Sequence, residues 1–576
     1  MRSPTNVSPF SRRQFLRAFG AATLGDTWKP NLARGLISAA VPSTPQPAFE
    51  EVSSTKSKIN WTHVAGLSSE MYIPETVGAG CAFLDYDNDG WMDIYLVNSG
   101  PCDFYKPSSP IRNALYHNNR DGTFTDVTEK AGVLGNAYGM GVAVGDYDGD
   151  GFPDLYITQY PNSILYHNNG NGTFTDVTAK AGVAAPGWGT SAVWFDYDND
   201  GRLDLFVGRF ADFEKSKHVD CGNKENGTHY YCKPNVYKPM PSRLFHNNGD
   251  GTFTDVSEKT GIAHSLGKAW GVVAADINND GWLDLFVGSD TAPNSLFLNE
   301  KGKFNDIGAM AGVAYSTFGV ARSGMGVDAA DYDQDGWLDL FVANVDHESY
   351  SLYHNNKDGT FDDVSISSGI GSTTTLMSGW GLKFFDYNND GNIDLLLANG
   401  HPDTTINKHQ PSVNYLEPML LFENDGLSWK NVSAQSGAIF SRNIAGRGLA
   451  LGDFDNDGAV DVLVAVNDGP PILLRNIAGQ HNHWLGIRLI GRKANIDAIG
   501  AKIVYQAGNL KREITKVGGG SYLSSHDPRL VLGLGQQTKL DWIEVHWPQP
   551  SGKIERFTSL PIDRYITIIE GQGTWK

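Results

Sequence analysis

Residues 85–93 read DYDNDGWMD, with oxygen-bearing side chains at positions 1, 3, 5 and 9 and glycine at position 6. Four apolar residues, IYLV, follow at once. The frame recurs as DYDGDGFPD at 146, DYDNDGRLD at 196, DINNDGWLD at 276, DYDQDGWLD at 331, DYNNDGNID at 386 and DFDNDGAVD at 453. Position 1 is Asp85, Asp146, Asp196, Asp276, Asp331, Asp386 and Asp453, and position 3 is Asp87, Asp148, Asp198, Asn278, Asp333, Asn388 and Asp455. Position 5 is Asp89, Asp150, Asp200, Asp280, Asp335, Asp390 and Asp457. Position 9 is Asp93, Asp154, Asp204, Asp284, Asp339, Asp394 and Asp461. Such carboxylates repel one another unless a positive charge sits among them. Alternating oxygens around a glycine bend are what calcium takes, at roughly six to eight oxygens and flexible geometry. An EF-hand would add a glutamate at position 12 and a helix. Here position 12 is Leu96, Ile157, Val207, Val287, Val342, Leu397 or Val464, in strand-like sequence, so position 9 is expected to close the loop. Magnesium, which prefers a water-rich octahedral shell, suits the frame less. Up to seven calcium ions follow, held more weakly in turns four and six by Asn278 and Asn388.

The elements that position these turns repeat with them. A small-residue run such as GMGVAVG (139–145) precedes each frame, and an apolar run such as DLFVG follows it. Then come LYHNNRDGTFTDV (115–127), LYHNNGNGTFTDV (165–177), LFHNNGDGTFTDV (244–256) and weaker versions. Asn-Gly and Asp-Gly between β-prone runs signal hairpins. Four short strands per repeat make a propeller blade, with the small residues innermost where blades converge. The fold expected is all-β: a seven-bladed β-propeller over 58–478 and a small C-terminal β domain over 479–576. The seventh repeat lacks a final FTDV strand, and INWTHVAG (59–66) is expected to supply it, closing the ring.

The acidic frame resembles the calcium turn of FG-GAP (integrin α-type) and VCBS repeats. NIDAIGAKI (495–503), LGLG (532–535) and VHWPQPSG (545–552) resemble the ASPIC/UnbV domain. Together they resemble the cartilage acidic protein family, which implies extracellular calcium binding and an adhesive or matrix-type role, with no reaction attached. NGHPD (399–403) departs from the family's NGHV-like segment.

A net charge of −19 argues against a nucleic-acid partner. SRRQFLR (11–17) before a short apolar run resembles a twin-arginine export signal, taken as 1–40, with a linker over 41–57. No later run approaches the length of a membrane span. A periplasmic or extracellular location is expected. Four cysteines suit an oxidising compartment, with Cys221–Cys232 and Cys81–Cys102 the expected disulfides.

No HExxH, GxSxG or P-loop pattern occurs, so no catalytic residues are assigned. His117, His167, His246 and His354 recur at one repeat position and read as framework; His401 is unique. Strand alternation puts the acidic turns on one face and the long connections 98–114, 208–243 and 399–420 on the other. Long loops on a rigid scaffold carry specificity, so Phe210, Phe213, Tyr230, Tyr231, Tyr237, His401 and Tyr415 are candidate contacts for a protein or glycan partner. Deleting 211–239 is then expected to spare melting and abolish attachment. The alternative function is a secreted carbohydrate-active enzyme, a polysaccharide lyase or hydrolase on a calcium-stabilised propeller.

Overall fold

The computed structural model describes residues 47–223, 228–426 and 428–575. The expected signal and the first part of the linker lie outside them. Seven antiparallel sheets, one per acidic frame, make the ring; six have four strands, and Gly518–Gly519 adds a fifth to the fourth. Blade two is typical: Tyr138–Gly145, Asp154–Tyr160, Ile164–Asn168 and Phe174–Asp176, each hydrogen-bonded to the next. Each blade's first strand packs on the first strand of the next blade, and Gly446–Gly452 packs back on Cys81–Leu84, so the ring closes.

The closing strand is Phe49–Glu51, which pairs with Ile472–Asn476 through Phe49↔Asn476 and Glu51↔Leu474. This corrects the assignment of 59–66, which forms no strand, and takes residues 49–51 out of the expected linker. The signal was present in the sequence: FEEV (49–52) fits the FTDV pattern, with an acidic residue at its third position. Trp61 instead packs against blade one beside Ile94 and Phe124.

The C-terminal strands form two sheets around one core. His483–Ile490 lies between Leu530–Gly535 and Tyr565–Ile569, while Lys502–Ala507 and Trp542–His546 are central in the second sheet. Alternate residues Ile503, Tyr505 and Ala507 face inward, as period-two patterning requires.

The segment GGGSYLSSHD (518–527) leaves this domain and enters the ring. Gly518 and Gly519 pair with Ala274 and Val273 of blade four. Ser521 exchanges backbone hydrogen bonds with Val327 of blade five, Ser525 N donates to Cys81 O of blade one, and Val142 N of blade two donates to Leu523 O. Ser191 Oγ, Leu382 N and Leu449 O complete contacts to blades three, six and seven. All seven inner strands therefore bond to one plug. Those strands are sheet edges, whose free N–H and C=O groups would otherwise lack partners in a narrow channel. Close approach also explains the small residues: a Cβ on Gly80 would lie 1.6 Å from Leu523 O.

Tyr522 passes through the ring. It is fully buried, with its ring 4.9 Å from Trp380 and 5.6 Å from Trp270 and its hydroxyl donating to Val77 O. Tyr522→Ala is expected to destabilise by roughly 3–5 kcal/mol, the usual cost of emptying an aromatic site. A melting midpoint unchanged from the parent would contradict the plug's stabilising role.

Candidate functional site

Each acidic frame folds on its own carboxylates. In turn one, Asp85 Oδ1 and Oδ2 accept from Asp89 N and Gly90 N, and Asp89 Oδ1 accepts from Trp91 N. Asp93 Oδ2 and Oδ1 accept from Tyr86 N and Asn118 N. Position 3 differs. Asp87 Oδ1 is buried without a hydrogen-bond partner, as are Asp198 Oδ1, Asp333 Oδ1 and Asp455 Oδ1. Oxygens of Asp85, Asp87 and Asp93 converge within 4.8 Å of one another.

Burial holds the position-9 carboxyls high: Asp93, Asp154 and Asp204 rise to about 7 and Asp339 to about 9, with neighbouring aspartates adding to it. Converging carboxylates, one with an orphaned oxygen, fit a hard cation bound through oxygen. When bound, such an ion would neutralise the cluster and tie the first two strands of a blade. Asn278 and Asn388 instead turn their amides onto Asp280 and Asp390.

Position 4 has a left-handed backbone in every turn, from Asn456 at φ 56° to Gly149 at φ 73°. Asparagine tolerates that region better than most residues. Its side chain then reaches the next turn: Asn88 Nδ2 donates to Gly151 O, Asn199 to Gly281 O, Asn279 to Gly336 O, Asn389 to Gly458 O and Asn456 to Gly90 O.

The first asparagine of the HNN hairpin was legible only as a turn residue. It is an inter-blade clamp. Asn168 Nδ2 donates to Pro153 O in its own turn and to Tyr86 O in the preceding one, while its N–H donates to Asp154. Asn118, Asn247, Asn299, Asn355, Asn424 and Asn476 repeat the pattern, and all are buried. The sequence signal was its invariance across seven repeats.

The C-terminal domain sits on these turns. Arg488 donates to Asn88, Asp497 accepts from Asp146 N, and Lys502 donates to Asn279. Glu513 N donates to Gln334, and Arg512 donates to Gly391 O. Arg529 donates to Asp453 O, and Tyr565 OH donates to Asp453 Oδ2 at 2.6 Å.

On the opposite face most of the expected contact residues are interior. Phe210, Phe213, Tyr231, Tyr237 and His401 are buried, and only Tyr230 is exposed, with Tyr415 half-buried. Phe210 lies 4.5 Å from Trp270 and 4.8 Å from Trp188, and Phe213 packs on Phe104 and Tyr237, so the insertions cap the channel around Tyr522. Removal of 211–239 would open this cluster, which corrects the expectation that melting would survive it. His401 is an anchor: Nδ1 accepts from Asp403 N and Nε2 bonds Asp346.

Cys221 and Cys232 form a disulfide, whereas Cys81 and Cys102 are free and buried. The second expected bridge is therefore wrong. Cys81 lies in the blade-one core, its thiol directed at Leu463 O, and Cys102 lies in the aromatic cap.

Comparison with known proteins follows this division. Residues 85–157, 146–207, 236–287, 276–342 and 331–397 match the FG-GAP-like repeat model, and 491–574 match the ASPIC and UnbV model. Cartilage acidic protein 1 of Xenopus tropicalis is 26% identical over 490 residues, covering 82% of this chain and 61% of that protein. This chain thus spans about three-fifths of the length of the curated relatives it matches along most of its length. Integrin alpha-6 of Gallus gallus is 30% identical over 172 residues, covering 27% of this chain and 15% of that protein. Bacillus licheniformis rhamnogalacturonan lyase matches at TM-score 0.37 and 12% identity, covering 75% of this chain and 76% of that one, a likeness too loose to bear on function.

Two variants test the site's architecture. Asn168→Ala strips donors from two buried carbonyls, at about 1–3 kcal/mol each, whereas Asn169→Ala removes exposed contacts alone, its bond to Thr173 and the one it accepts from Thr175. Chemical denaturation is expected to separate them clearly; equal midpoints would sink the clamp. Glu417, on the cap side, accepts from Ser378 N, leaves Oε1 unpartnered, and is pushed up to about 8 by burial. A raised carboxyl contributes stability below its unfolded value of ~4.3, and that stability is lost as pH climbs through the folded value. Glu417→Gln is expected to out-melt the parent at about pH 9 but not at about pH 5; a difference independent of pH would refute the assignment.

Proposed function

We propose that this chain, an FG-GAP repeat protein with a C-terminal ASPIC and UnbV domain, is an exported calcium-binding propeller that acts as an extracellular binding module for a protein or glycan partner. The observation that carries the reading is the acidic turn. Its carboxylates converge at the junction of two strands, and position 3 repeatedly leaves a buried oxygen without a donor. Calcium is the ion suited to that set: all-oxygen donors, glycine at the bend and a loop free to adjust its geometry.

The metal residues assigned in turns one to six, the export signal over 1–40 and the division near residue 478 belong to this reading. Export is supported by the twin-arginine-like SRRQFLR and by a disulfide, which persists in oxidising compartments. No helix among the described residues is long and apolar enough to cross a membrane. A binding role is supported by a channel filled with the chain's own plug and cap, which leaves outer surfaces for a partner. Tyr230 and Tyr415 are the expected contacts still open on the capped face, Tyr415 beside Leu416 and Leu67 in a groove of ≈ 400 Å³.

Chelation is expected to lower the melting midpoint, because an ion that binds only the folded state adds RT ln(1 + [L]/Kd) per site. Melts with and without EGTA at low ionic strength measure it, and an unchanged midpoint defeats the calcium assignment. Immobilised protein probed with glycans and matrix proteins, with calcium and with EGTA, tests the binding role. Attachment indifferent to chelation would separate the partner surface from the turns.

A further inference from the structure

Each blade's third strand carries one variable residue just before its clamp asparagine. The series is His117, His167, His246, Leu298, His354, Glu423 and Arg475. In the four histidine blades, Nδ1 lies 3.2–3.5 Å from one carboxylate oxygen at position 3 and one at position 9, without the alignment of a hydrogen bond. The residue therefore borders the space where the aspartates converge.

In blade seven that place holds a permanent cation. Arg475 Nε donates to Asp455 Oδ2 at 2.6 Å, and Nη2 donates to Asp457 Oδ2 at 3.0 Å. Other turns have cations at position 5 alone: Arg120 on Asp89, Arg202 on Asp200 and Lys357 on Asp335. Among the described residues, only Arg475 pairs a guanidinium or ammonium with position 3. Turn seven is also the most heavily hydrogen-bonded, with Gln480 on Asp457 and Tyr565 on Asp453.

We infer that Arg475 is the resident cation of turn seven, so that this turn takes no calcium under conditions that fill the histidine-bordered turns. The inference rests on the calcium reading above. A divalent ion entering turn seven must either displace a bidentate guanidinium from two carboxylates or sit against it as a like charge. The oxygen frame itself is intact. Asp455 Oδ1 still lacks a donor, and Asp453 and Asp461 accept backbone N–H groups as their counterparts do. Removing the guanidinium should then suffice to restore a site.

The test is calcium per chain, measured by elemental analysis after equilibrium dialysis against calcium. Arg475→His, which installs the residue of the other blades, is expected to gain one ion per chain. The reciprocal His117→Arg is expected to lose one. An unchanged ratio for Arg475→His, in protein that elutes and melts like the parent, overturns the inference. If Arg475→His does not fold, His117→Arg decides: loss of one ion supports the inference and an unchanged ratio overturns it. A parent that binds no calcium at all overturns the calcium reading and this inference with it, an outcome distinct from either variant's failure.

Discussion

Seven inner strands converge on one axis, and every one is a sheet edge. Their backbone groups face a channel too narrow for bulky side chains, so they need partners without room to host them. The plug at 518–527 answers both demands, bringing three glycines and three serines and bonding to every blade. The C-terminal domain is thus part of the propeller's hydrogen-bonding scheme. Its strands cover the acidic turns, its plug fills the axis, and Tyr522 reaches the aromatic cap beyond.

The acidic turns are tied to one another as well. A clamp asparagine joins its own turn to the preceding one, and a position-4 asparagine reaches the following one. A change in one turn therefore bears directly on both neighbours. Gly149 has no side chain with which to make the second link, and Gln334 turns to Glu513 instead. Around these links the carboxylates stay buried and close together, an arrangement that costs stability unless positive charge accompanies it.

Function on such a scaffold moves outward. The channel is occupied from one side by the plug and from the other by Trp188, Phe210, Trp270 and Trp380. His401, for all its uniqueness in the sequence, is used up in holding Asp346 and Asp403 N. Arg447 is fully buried over Trp380, donating to Thr76, Gly400 and His401 carbonyls, and so fastens the cap to the ring.

What the sequence determined by itself was whatever repeats. Seven copies of one frame made the strand order, the turn chemistry and the propeller readable, since period-two patterning and Asn-Gly hairpins are local signals. The ASPIC/UnbV resemblance identified the last domain without saying where it would dock. Tertiary structure decided everything that depends on distance between remote residues. It chose Phe49–Glu51 over 59–66 as the closing strand, because pairing with Ile472–Asn476 is a contact across the whole chain. It buried the loop aromatics, since insertions from separate blades meet over one axis. It left Cys81 and Cys102 apart, because an even cysteine count says nothing of geometry. It also placed Arg475 on Asp455 and Asp457, a contact between strands that no spacing along the chain announces.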